Sequence, residues 1–83
     1  MQVIISPGAE REIARLSPGV AQRVVAALRR LRETPRPPGC LLLRDYHPST
    51  WRLRVGDWRV LYQIDDATGF ITITDVRHRS QAY

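Results

Sequence analysis

The fold turns on Trp51-Arg52-Leu53-Arg54-Val55-Gly56-Asp57-Trp58-Arg59-Val60-Leu61-Tyr62. Apolar and polar residues alternate on both sides of Gly56-Asp57, which reads as two strands joined by a tight turn. A two-residue turn with glycine first suits a hairpin, because glycine accepts the positive φ that the turn needs. With that turn, Val55 faces Trp58 and Arg54 faces Arg59. Like charges directly opposite each other on one sheet face are destabilising. Arg52 adds a third cation to the same face. A hairpin selected for stability alone would avoid this arrangement. An anion absent from the free chain would relieve it, and a phosphate of RNA has the required chemistry.

Upstream, Gln2 to Ile5 is a short β-prone run. Ser6 has the character of a helix N-cap, and Pro7 stands at the first helical position, where a missing N–H costs nothing. A helix is expected from there to about Leu16, with Ala9, Ile13 and Leu16 on one side. Ser17-Pro18 repeats the start signal. The second helix runs to about Glu33, with Val20, Val24, Ala27, Leu28 and Leu31 at three- and four-residue steps. Its other face carries Arg23, Arg29, Arg30 and Arg32. The two helices read as an antiparallel hairpin.

Pro35-Arg-Pro-Pro-Gly39 ends the second helix. Leu41-Leu42-Leu43 is expected to tuck the connection under the sheet. Downstream of the hairpin, Asp65-Asp66-Ala-Thr-Gly69 is a turn, and the β-branched run from Phe70 to about Arg77 is a strand. Either Phe70 or Ile71 begins its core-facing set. The order is β-α-α-β-β-β: an α+β fold, with an N-terminal strand, an antiparallel helix hairpin, and a three-stranded antiparallel meander. Trp51, Leu53, Val55, Trp58, Val60, Tyr62 and Ile64 should face the helices. Arg52, Arg54 and Arg59 should face the open side.

At 83 residues the chain reads as one domain, 1–83, with room for one sheet and two helices but not for a cofactor domain. The net charge is +5, and all 13 basic residues are Arg, which favours polyanionic or acidic partners. Cys40 is the lone cysteine, so no internal disulfide is available, and two His give no evident zinc set. A reducing compartment fits. No signal peptide is expected at the N-terminus, and no apolar run approaches the ~20 residues of a membrane span. Asp65-Asp66 lacks a third oxygen ligand at useful spacing, so it reads as a turn and not a metal site.

With this order and these motifs, the chain resembles the RelE/ParE superfamily of bacterial and archaeal toxins over nearly its full length. The resemblance rests on the element order, on the Trp51–Tyr62 stretch, and on Val76-Arg-His-Arg-Ser-Gln-Ala-Tyr83. The last resembles the RelE branch, in which a His-Arg or Lys-Arg pair is followed within a few residues by Tyr. It implies a cytoplasmic, metal-independent endoribonuclease that needs no cofactor and cuts messenger RNA, typically in the ribosomal A site. It also implies an acidic antitoxin as partner, with messenger RNA and the ribosome as targets. The implied site comprises Arg52, Arg54, Arg59, His78, Arg79 and Tyr83. Known members carry Lys at one or both positions matching Arg52 and Arg54. Arginine supplies charge there but does not exchange a proton.

RNA cleavage by its own 2′-hydroxyl needs a base, cations over the phosphorane-like charge, and an acid for the 5′-oxygen. Arg52, Arg54 and Arg59 suit the second task, often the largest single contribution. General acid–base help adds typically ~10²–10⁴-fold. Imidazole, with an ordinary pKa of about 6.5, and a phenol drawn down from about 10 by guanidinium neighbours are the bases available. These are His78 and Tyr83; the acid is left open. Arg79 would clamp phosphate or stack on a base. Two other readings share the architecture: a ParE-like gyrase inhibitor, and an inactive RNA- or antitoxin-binding module.

Overall fold

The computed structural model describes residues 1–81. Its elements are β1 (Gln2–Ile5), α1 (Pro7–Ala14), α2 (Pro18–Glu33), β2 (Leu41–Leu42), β3 (Trp51–Val55), β4 (Trp58–Asp65) and β5 (Phe70–His78), followed by a 3₁₀ turn over Arg79–Gln81. The strands form one sheet in the order β1-β5-β4-β3-β2. β1 runs parallel to β5, with Val3 beside Ile71 and Ile5 beside Ile73. The other pairings are antiparallel.

Both helices start as expected. Ser6 Oγ accepts the Ala9 N–H at 3.2 Å, capping α1. Ser17 takes the N-cap position of α2 without a side-chain cap bond. Ala9 of α1 and Val24, Ala27, Leu28 and Leu31 of α2 are buried. They pack with Val60, Tyr62, Ile71, Ile73 and Val76, and Trp51, Leu53, Val55, Trp58 and Ile64 close over this core. All seven residues expected to face the helices do so. Ile71, not Phe70, opens the core-facing set of β5.

Tyr62 is fully buried, and its hydroxyl donates to the Pro35 carbonyl at 2.9 Å, tying the sheet centre to the chain just past α2. Burial, with Cys40 nearby, pushes its phenol well above the ordinary range. Leu41 and Leu42 differ from expectation. They do not tuck beneath the sheet; they pair with Arg52 and Trp51 as a short edge strand, each about half exposed at 48% and 49%. Pairing of their backbone with β3 outweighed burial of their side chains.

A register shift interrupts the β4–β5 ladder. Leu61 pairs with Asp75 and Tyr62 with Ile73, so Thr74 is an extra residue on β5. Its Oγ1 donates to the Leu61 carbonyl at 3.3 Å, and its own carbonyl accepts from Ser6 Oγ at 3.3 Å. A bulge of this kind reverses the face to which all later side chains point.

Candidate active site

The β3–β4 turn sets the first part of the site. Gly56 has φ 59° and Asp57 is not in the positive-φ region, the pattern of a type II′ turn. The resulting register places Val55 against Trp58 and Arg54 against Arg59. On its other side Arg59 lies against Arg77 of β5. Three arginines therefore stand in one row across three adjacent strands. Neighbouring strands are about 4.8 Å apart, so the row spans roughly 10 Å. The next row on the same face is Arg52, Leu61 and Asp75. Leu61 is buried, at 1% exposure, between its two charged neighbours.

The guanidiniums are held differently. Arg54 is exposed. Arg59 folds toward the turn, where its Nη1 donates to the Gly56 carbonyl at 3.0 Å and to the Trp58 carbonyl at 2.9 Å. These bonds fix the group without neutralising it. Among the described residues, no carboxylate is ion-paired with Arg54 or Arg59. Arg77 donates to Asp75 at 3.0 Å. Arg52 is half-buried on the same face.

Arg79 sits at the end of the hairpin. Its backbone N–H donates to the Asp57 carbonyl at 2.8 Å, and its Nε lies 3.8 Å from the Asp57 carboxylate. The 3₁₀ turn is thereby pinned to the Gly56-Asp57 turn. His78 pairs with Trp58, which faces the core side, and the two rings meet edge to face at 5.3 Å and 83°. Its Nδ1 accepts the Ser80 N–H at 3.2 Å, which leaves the ring proton of the neutral form on Nε2. His78 and the arginine row thus stand on opposite faces of the sheet. Tyr83 lies outside the described residues.

So the structure brings Arg52, Arg54 and Arg59 to one face, sets Arg79 at the rim, and turns His78 away. It adds Arg77, which the sequence reading passed over. Strict alternation from Ile71 would have turned Arg77 inward and His78 outward. The extra residue at Thr74 exchanges them, and nothing in the local composition announces it. Among the described residues no group of three or more His, Cys, Asp or Glu is disposed to hold a metal, and no helix is long and apolar enough to cross a membrane.

An apolar groove of about 680 Å³ runs between α2 and β3. Ala27, Leu31, Leu53 and Val55 line it, and Arg23, Arg30 and Arg54 are also in its wall.

A small α+β domain with a basic sheet face has well-defined counterparts. Residues 3–83 match the family model described as the ParE toxin of type II toxin–antitoxin systems. The toxin–antitoxin complex RelBE2 of Mycobacterium tuberculosis contains a chain 30% identical, with 94% of this chain and 96% of that one covered and a TM-score of 0.83. The archaeal RelE–RelB complex of Pyrococcus horikoshii gives a TM-score of 0.84 at 22% identity over 98% and 97% of the two chains. Isolated RelE of Escherichia coli gives 0.79 at 20% identity, over 93% and 82%. No curated protein matched. The chain belongs to the RelE/ParE superfamily, as a toxin of a type II toxin–antitoxin system.

Proposed function

We propose that the chain is an endoribonuclease of the RelE kind, cutting messenger RNA in the ribosomal A site of the cytoplasm without a metal ion. The row Arg54–Arg59–Arg77 is the observation that carries this reading. Three cations in line suit a phosphodiester whose negative charge grows in the transition state. Arginine forks also match phosphate oxygens in pairs.

In the proposed reaction the 2′-oxygen loses its proton and attacks phosphorus. The P–O5′ bond breaks, and the 5′-oxygen leaves with a proton. The products are a 2′,3′-cyclic phosphate and a 5′-hydroxyl. Arg54, Arg59 and Arg77 would stabilise the pentacoordinate phosphorus, with Arg52 next in line and Arg79 holding a flanking phosphate at the hairpin end. Of the two base candidates, His78 stands on the face away from the arginine row, and the role of base is assigned here to Tyr83, which lies outside the described residues. Tyr62 is unsuited, being buried and held as a neutral phenol.

The partner would be an acidic antitoxin, as the RelB-bound relatives suggest. The α2–β3 groove supports this: an amphipathic segment with acidic flanks would match its apolar floor and Arg23, Arg30 and Arg54.

A second reading is kept because the matching family model is named for ParE. A ParE-like protein would block DNA gyrase and hydrolyse nothing. Inducing the chain in cells separates the two. Primer extension should show new 5′ ends within codons, and Arg59→Ala or Arg77→Ala should abolish them. Intact messenger with double-strand DNA breaks would establish the gyrase reading instead.

A further inference from the structure

Asp75 stands apart on the arginine face. Register puts it on the same side of the sheet as Arg52, Arg54, Arg59 and Arg77. Two residues apart on one strand, Asp75 and Arg77 point the same way, and the Arg77 stem reaches back so that its Nη2 lies 3.0 Å from Asp75 Oδ1. Both side chains are partly exposed, at 41% for Arg77 and 35% for Asp75. They line a polar cleft of about 340 Å³ with Gly8, Arg11, Glu12 and Thr74, where α1 passes the end of β5. Arg54 and Arg59 have no such carboxylate among the described residues. Among the described residues the row is therefore neutralised at one end only.

We propose that Asp75 is a latch on the arginine row, holding Arg77 toward itself in the free protein and yielding it to an RNA phosphate. Asp75 thereby sets how tightly the face binds RNA. The inference rests on the RNA reading above and adds to it a residue that lowers affinity. Partly exposed ion pairs are weak, because water and salt screen them. A phosphate offers Arg77 two oxygens and sits in the field of Arg54 and Arg59, so it competes well for the guanidinium. Without the latch, a chain of charge +5 would bind any polyanion through a fully open row. With it, the third arginine engages only a ligand seated on the other two.

The test compares the full-length chain with Asp75→Asn, Arg77→Ala and the double variant. The probe is a short 2′-O-methyl RNA, which lacks the attacking hydroxyl and stays intact. Fluorescence anisotropy is read from 50 to 300 mM KCl. Asp75→Asn should bind about three- to tenfold more tightly than the parent at 100 mM salt. In the Arg77→Ala background the same change should gain less than twofold. Asp75→Ser, which also removes the charge, should repeat the gain; melting curves check that each variant folds. Equal or weaker binding by both Asp75 variants overturns the latch, as does an equal gain with and without Arg77.

Elution from a heparin column gives a second readout that does not depend on RNA. If no protein binds the RNA, but Asp75→Asn elutes at higher salt than the parent only when Arg77 is present, the latch stands and the RNA reading falls. If RNA binds all four proteins alike, the latch falls and the RNA reading stands.

Discussion

Replacing Arg54 by Gln should make the protein more stable and less active. Arg54 and Arg59 are directly opposed one step from the turn-flanking pair Val55–Trp58. In an antiparallel ladder that is the close, non-hydrogen-bonded kind of pair, with Cα atoms about 4.5 Å apart. If the guanidiniums splay to ~6 Å in water, Coulomb repulsion is about 0.7 kcal/mol. That lies within the ~0.2–1 kcal/mol range of cross-strand pairs. Gln keeps part of the aliphatic stem of the exposed Arg54, so the packing loss is small. For a domain this size, ~1 kcal/mol moves Tm by roughly 4–8 °C. Arg54→Gln should therefore melt about 2–5 °C above the parent at 20 mM salt, by circular dichroism. The gap should close at 1 M salt, where the screening length falls to about 3 Å. RNA cleavage should drop at least tenfold in the same preparation. A variant melting at or below its parent at low salt refutes the repulsion argument, and a gap that persists unchanged at 1 M refutes its electrostatic origin.

Tyr62→Phe should cost about 1 kcal/mol, because the Pro35 carbonyl loses its buried donor; a midpoint unchanged in urea would show that the tie contributes nothing. Gly56→Ala should cost about 1–2 kcal/mol through backbone strain at φ 59°. An added Cβ there meets only Arg23 Nη1 at 3.9 Å, so steric overlap is not the cause; an Ala variant as stable as the parent would contradict the turn assignment. Arg77→Ala should lower cleavage of messenger by about 10²-fold while leaving the far-ultraviolet spectrum intact; full activity would remove Arg77 from the site. Asp65 is held below its ordinary pKa by hydrogen bonds from Thr68 and from the Ala67 N–H. A depressed carboxylate pKa stabilises the fold above the unfolded value, near 3.9, and the contribution fades as pH falls further. Asp65→Asn should therefore flatten the loss of stability below about pH 4; an unchanged acid limb in thermal melts would count against it.

Much of the architecture was legible because it is locally encoded. Ser6-Pro7 and Ser17-Pro18 start the helices, and Gly56-Asp57 fixes the hairpin and the facing of Arg54 and Arg59. The spacing of Val24, Ala27, Leu28 and Leu31 marks the buried stripe of α2. What escaped depends on partners distant in sequence. The parallel pairing of β1 with β5 joins opposite ends of the chain, and no local pattern specifies it. Leu41 and Leu42 look like core residues by hydropathy, yet backbone pairing with β3 sets them at an exposed edge. Arg77 was missed for a third reason: its facing depends on one extra residue in a run, Ile71-Thr-Ile-Thr-Asp-Val76, that reads as smooth alternation.

That extra residue makes the local path of the backbone at Thr74 as informative as chemistry. Flattening the bulge while keeping the residue would leave every charge in the sequence, yet it would aim Arg77 into the apolar interior and send His78 outward, whereas deleting the residue would leave both facings as they are. One and the same sequence, with that residue bulged or paired, thus presents Arg77 to opposite faces of the sheet. Comparing relatives by which face their terminal arginines reach, bulge included, should sort them more sharply than counting their basic residues.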